Sequence, residues 1–397
     1  MPIVKRFVLI TVATLIAVVV AVIAIEVGVR ARWDPTTGTP GFYLTDPVLG
    51  QRLAPGYSGW FAGVPVRINN LGFRDPRDFS VDKGPGVFRI LVLGDSVTFG
   101  HGTLDETTYP YLLEQRLTEW RPEIDWQVWN LAVPGYNTRQ ELLLLEQVGR
   151  RYDPDLVVVG FFPNDFQNNE PVPPPSVWRR GAAAAMRVMQ RRLYSFEFYK
   201  RVLLTARWRL MTNAVDRQRL EHLATEQALL APGDRSQLDE QRLTPVTRFD
   251  GQDVASFVCE GAPVADTKGK GPLRRRLQEA SPEVAAWLDA VKTLQMLHHD
   301  GRHRVVFFIN MAPGVCGGQD RFYDNGILDD DDVLLDVLGN GTPAVSSTRA
   351  FLHYRPSQMP AASGHAVGNS NAVKADVLFQ YLRDAVLPPL VTRPPAQ

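Results

Sequence analysis

The chain has 397 residues with 43 basic and 43 acidic side chains, so it carries no net field that would draw nucleic acid or an acidic surface. Its two cysteines, Cys259 and Cys316, are spaced too widely for a metal motif, and no His, Asp or Glu cluster has metal-ligand spacing. No glycine-rich phosphate loop is present, so nothing calls for a cofactor and nucleic acid is not an expected partner.

Residues 7–25 are uncharged and almost wholly apolar. That is close to the ~20 residues that span a hydrocarbon core, and long for the ~7–15-residue apolar core of a cleavable signal. Ala21 and Ala24 offer small residues for cleavage, which keeps a signal peptide as the other reading. Lys5 and Arg6 precede the run, while Arg30 and Arg32, offset by Glu26 and Asp34, follow it. That bias is small. With the whole globular part C-terminal, an N-in signal anchor is the simplest topology.

Residues 34–86 are rich in Pro, Gly and aromatics, with a strand-like piece at 64–68. Residues 88–93 form an apolar run that reads as a buried strand, ending in Gly94-Asp95-Ser96-Val97-Thr98-Phe99-Gly100. Helical spacing follows over 107–120. A second strand over 126–133 runs into Asn130-Leu131-Ala132-Val133-Pro134-Gly135-Tyr136, and a third over 156–160 into Phe161-Phe162-Pro163-Asn164-Asp165.

Pro171 and Pro173 to Pro175 end this core and open an insertion at 176–282. Its part at 182–230 reads as helical and that at 231–271 as loop. Tyr194, Phe196, Phe198, Tyr199 and Trp208 are expected as core rather than a sugar-stacking platform. Beyond it come an amphipathic helix at 282–299, a fourth strand at 304–311 and an acidic loop at 329–332. A last strand is expected at 348–354, then Ser363-Gly364-His365 and a closing helix at 372–387.

A serine at the carboxyl end of a strand, between glycines, lies where open α/β sheets expose reactive groups. Taken singly, each loop has a plainer reading: a capping turn at Ser96, a turn glycine at Gly135, a cap or Asx-turn at Asn164 and Asp165. Asp95 reads as a structural acceptor. His222, His298, His299 and His303 lie in charged or amphipathic stretches and read as solvated, whereas His101 and His353 are less easily set aside.

Chemistry arises only in combination. A serine nucleophile needs a base, here Ser96 with His365, and donors for the oxyanion, here the N–H groups of Ser96 and Gly135 with the Asn164 amide.

This ordered set resembles the SGNH (GDSL-type) hydrolase superfamily, named for its Ser, Gly, Asn and His blocks. The resemblance spans residues 89–387 with one long interruption. Asn70-Leu71-Gly72-Phe73-Arg74-Asp75 is similar to a lead-in of its membrane-anchored members. It implies a three-layer α/β/α sandwich on a mostly parallel five-stranded sheet, and three parts: an anchor at 1–33, a lead-in at 34–86 and a hydrolase domain at 87–397. The activity it implies is a serine esterase acting through an acyl-enzyme on a small-molecule, lipid or polysaccharide ester. In such a protein the domain faces the periplasm or exterior from a single-pass bacterial inner-membrane anchor.

The superfamily usually places an aspartate two or three residues before the histidine. This chain has Ser363 and Ala362 there, and Val367 and Ser370 where Asn and Gly often follow. Ser363 is a weak orienting group at best, since a hydroxyl cannot offset imidazolium charge. Two other readings stay open: an O-acyltransferase on a surface polysaccharide, and a catalytically silent binding protein on this scaffold. Cys259 and Cys316 are either bonded to each other in an oxidising compartment or separate thiols.

Overall fold

The computed structural model describes residues 2–167, 169–170, 173–210, 241–248, 272–279, 281–315, 320–323, 326–362 and 365–391. Helix α1, Pro2–Arg32, carries the apolar run; an 18-residue window within Val4–Arg32 has a mean hydropathy of 3.1 and is not buried. By length and composition it can cross a membrane or serve as a signal sequence. Two antiparallel hairpins follow, β1 (Tyr43–Asp46) with β2 (Gly50–Leu53), and β3 (Ser58–Phe61) with β4 (Val64–Arg67).

The central sheet is built from β5 (Val87–Gly94), β6 (Asp125–Asn130), β7 (Leu156–Phe161) and β8 (Val305–Ile309). A short antiparallel pair, β9 (Gly314–Val315) and β10 (Phe322–Tyr323), precedes the fifth sheet strand, β11 (Ala344–Ser346). Their order is β6–β5–β7–β8–β11, all parallel. The chain leaves β5 for β6 on one side and returns to β7 on the other. The strand order therefore reverses at β5, and a crevice opens beyond its carboxyl end.

The near-continuous apolar sequence of β5 follows from burial on both faces. Ile90 and Val92 face α3 (Tyr109–Trp120) and the closing helix α10 (Asn369–Tyr381) through Leu112, Leu113 and Leu378. Leu91 and Leu93 face α4 (Thr138–Gln147) and α8 (Pro282–His299) through Leu145, Trp287 and Leu294. This is the three-layer α/β/α arrangement. The remaining α-helices among the described residues are α2 (Ser96–Phe99), α5 (Val177–Arg192), α6 (Tyr194–Leu210), α7 (Pro272–Glu279), α9 (Ile327–Leu338) and α11 (Pro388–Val391).

Several local expectations are corrected. The fifth strand lies at Ala344–Ser346, and Thr348–His353 is a 3-10 helix. The ladder to β8 ends with the Ser347 N–H on the Ile309 carbonyl, and the strand stops there because Thr348 turns its N–H to Ser346 Oγ and its hydroxyl to Asp331. The acidic run at 329–332 is helical, part of α9, since Leu328, Val333, Leu334 and Leu338 are buried at helical spacing. Asp329 and Asp330 sit in its first turn, where the helix dipole favours them. His303 is buried, and half-buried His298 accepts from the Val305 N–H. Phe198 and Tyr199 are exposed rather than core. Cys259, Cys316 and Ser363 lie outside the described residues.

The lead-in has a definite task. Arg74 is 3 % exposed, and its guanidinium lies over the Phe99 ring at 4.5 Å. It donates to the Phe99 carbonyl at 2.8 Å, to the Gly100 and Thr103 carbonyls, and to Asp105 at 2.9 Å. These carbonyls lie at and just beyond the end of α2, where a buried five-donor fork suits them. Arg74→Ala should cost about 3–5 kcal/mol, because it leaves the largely buried Asp105 without its cation and removes a charged donor from three carbonyls. A fall in Tm of several degrees, with activity lost in parallel, is the expected result of thermal melts.

Candidate active site

Ser96 opens α2 directly beyond β5. Asp95 caps that helix through its Oδ1, which accepts from the Val97 N–H at 2.9 Å, and Gly100 ends it in the left-handed region at φ 84°. The turn is tight because Thr98 sits beneath it. A Cβ on Gly94 would lie 2.2 Å from Thr98 Oγ1, and one on Gly160 of β7 would lie 2.3 Å from the same atom. Tyr109 OH and Asn310 Nδ2 both reach Thr98 Oγ1. Two glycines and two hydrogen bonds thus fix the residue two places after Ser96.

His365 is half-buried on β13 (His365–Ala366), which pairs with β12 (Ala361–Ala362). Its Nε2 lies 2.9 Å from Ser96 Oγ. The two residues are 269 positions apart in sequence, so only the fold makes this pair. Val367 is fully buried and Ser370 Oγ donates to the Pro360 carbonyl, which closes the histidine loop on itself. Part of the insertion docks there as well: Gln241 Nε2 donates to the Gly102 carbonyl, and Asn369 exchanges two hydrogen bonds with Thr244.

Gly135 is exposed at φ 82° in the loop after β6, whose Pro134 carbonyl accepts from Gln51 of the lead-in. Among the described residues neither the Ser96 nor the Gly135 N–H has a hydrogen-bond acceptor. Asn164 follows β7 and lies against Asp95, whose carboxyl it helps to stabilise.

One feature was hidden from the sequence. The His101 ring stacks on His365 with centroids 4.5 Å apart and planes 28° from parallel. His101 is 1 % exposed. Its position just after the Gly94–Gly100 turn was the available signal, but nothing in the sequence pairs it with residue 365.

A second hidden feature is a set of buried charges beneath the turn. Asp95, Glu141 of α4 and Asp165 are fully buried, as is Lys374 of α10. Burial pushes the Asp95 carboxyl up, partly offset by Asn164, the Val97 N–H and the Lys374 charge. Burial likewise brings Lys374 down to about 8, against the pull of Asp95. Glu141 and Asp165 are pushed well above the carboxylate range by burial and then by negative charge nearby: Asp95 acts on both, and Glu141 on Asp165.

For a group raised in the folded state, stability is full below the unfolded pKa and falls as pH rises through the folded one. Glu141→Gln removes that loss. The variant should match the parent near pH 4 and melt higher at pH 8. Equal Tm values at pH 8 would show that Glu141 carries no such penalty.

The family model of the GDSL-like lipase/acylhydrolase family matches residues 92–294, half of the chain. The chain belongs to this family. No curated protein matches its sequence.

Solved structures resemble it distantly. It is 12% identical to a two-domain esterase, CEX, active on acetylated mannans, over 76% of this chain and 50% of that one, with a TM-score of 0.32. The chain thus spans half the length of that esterase. A catalytic mutant of Axe2, an acetylxylan esterase from Geobacillus stearothermophilus, is 10% identical over 74% and 93% of the two chains, at a TM-score of 0.36. A GDSL-like lipase from Bacteroides thetaiotaomicron is 9% identical over 75% and 88%, at 0.32.

Proposed function

We propose that the protein hydrolyses a carboxylic ester through an acyl-enzyme on Ser96. His365 takes the Ser96 proton as Oγ attacks the carbonyl carbon, then returns it to the departing alcohol. Water, activated by the same imidazole, attacks the acyl-enzyme and releases the acid. The Ser96 and Gly135 N–H groups and the Asn164 amide hold the oxyanion in both steps.

The observation that carries this reading is the 2.9 Å approach of His365 Nε2 to Ser96 Oγ at the carboxyl end of β5. The Ser96 and Gly135 N–H groups, without acceptors among the described residues, support the oxyanion role. The substrate class is an ester of a small alcohol, a lipid or a surface polysaccharide. With α1 as an N-in anchor, the domain stands on the periplasmic or outer side of a bacterial inner membrane.

A fluorophosphonate probe tests the reading. It should label the protein once, and peptide mapping should place the adduct on Ser96. An unlabelled but folded protein favours a silent scaffold instead. Asn164→Ala should label more slowly and lose about 10²–10³ in kcat, the cost of one oxyanion donor.

A further inference from the structure

We propose that His101 is a positioning residue for His365, serving by ring stacking the role that an acid near position 363 usually serves in this family. The inference rests on the acyl-enzyme reading above and deepens it.

The need is read from the sequence, where Ala362 and Ser363 stand at the two places from which the aspartate would reach the ring. The means is geometric. Stacked rings with centroids 4.5 Å apart fall in the range where aromatic pairs attract beyond simple burial. Such a contact restrains the His365 plane, and with it the direction of Nε2 toward Ser96.

His101 is itself held on several sides. Its backbone N–H donates to the Ser96 carbonyl at 2.9 Å, so the residue under the base is tied to the nucleophile's own main chain. Gly100 makes that possible by turning at φ 84°, where a Cβ would lie 2.7 Å from Thr108 Cγ2. Phe61 meets the His101 ring edge-on at 5.2 Å, and Phe42 stacks on Phe61 at 3.9 Å. An aromatic column therefore runs Phe42–Phe61–His101–His365, from the lead-in hairpins into the site. One short segment, residues 96–101, sets both the nucleophile and the support of its base.

The stack also suits the charged intermediate. When His365 takes the serine proton, the face of the stacked His101 ring lies against an imidazolium, a contact of the cation–π kind. That contact is weaker than a carboxylate's. Its loss should therefore slow turnover without abolishing it.

The test compares His101→Leu, which removes the ring, with His101→Phe, which keeps a ring and removes both nitrogens. Full-length protein in detergent is assayed with p-nitrophenyl acetate, with Ser96→Ala as reference and a melt of every variant. His101→Leu should lose roughly 3- to 10-fold in kcat with KM within about twofold, the scale of one aromatic contact. His101→Phe should recover most of that loss. If Leu does not fold at this buried position, His101→Met supplies the ringless variant.

Wild-type kcat in a folded ringless variant, with Ser96→Ala inactive, overturns the stacking role alone. So does a His101→Phe protein as slow as the ringless one, since the nitrogens and not the ring would then be at work. A Ser96→Ala protein that keeps wild-type turnover overturns the acyl-enzyme reading and the stack together.

Discussion

Ser96→Ala protein should neither take up a fluorophosphonate nor hydrolyse a short-chain ester above a level about 10⁴–10⁶ below wild type. The size of the loss comes from the covalent route: without Oγ no acyl-enzyme forms, and only the oxyanion donors and substrate binding remain. Stability should barely change. Ser96 is 2 % exposed, but its side chain is not what caps α2; Asp95 Oδ1 does that through the Val97 N–H. Among the described residues the deleted hydroxyl bonds only half-buried His365, which water can reach. Undiminished hydrolysis by a purified, folded variant would sink the mechanism.

The sheet was legible because each early motif ends its own apolar strand. Runs at 88–93, 126–133, 156–160 and 304–311 overlap β5 to β8; β5, β7 and β8 are buried on two faces and nearly continuous in hydrophobicity, while the edge strand β6 interrupts its apolar residues with Asp125, Gln127 and Asn130. The family followed from the order of the loops after those strands.

What stayed hidden depends on contacts distant in sequence. The 3-10 segment Thr348–His353 carries the same residue types as a strand, and the hydrogen bonds of Thr348 to Ser346 Oγ and Asp331 decide against one. The acidic start of α9 looked like loop because charge masks the apolar face of Leu328, Val333, Leu334 and Leu338. Arg74 and His101 act through residues packed on them, so their sequence neighbourhoods say little. The same holds for the buried acids. Glu141 sits in an ordinary amphipathic helix, and only the packing of α4 under β5 and β7 brings it near Asp165 and Asp95.

His365→Ala should fall nearly as far as Ser96→Ala, on the order of 10⁴ in kcat, with KM little altered. The serine hydroxyl is a poor nucleophile without a base, and the imidazole at 2.9 Å is the group placed to serve. Because the two residues work as one unit, the double variant should be no slower than the worse single one, whereas independent contributions would multiply. The half-buried position keeps the structural cost of the deletion small, so melts of single and double variants should agree with wild type to within a few degrees. Fluorophosphonate uptake gives a substrate-free check: His365→Ala should still react at Ser96, but slowly, since the hydroxyl remains and its activation does not. A variant keeping more than a tenth of wild-type activity would remove His365 from the base role. The imidazole next in line is then His101, already stacked against it and bonded through its backbone to Ser96, and loss of all activity in His101→Phe would identify it.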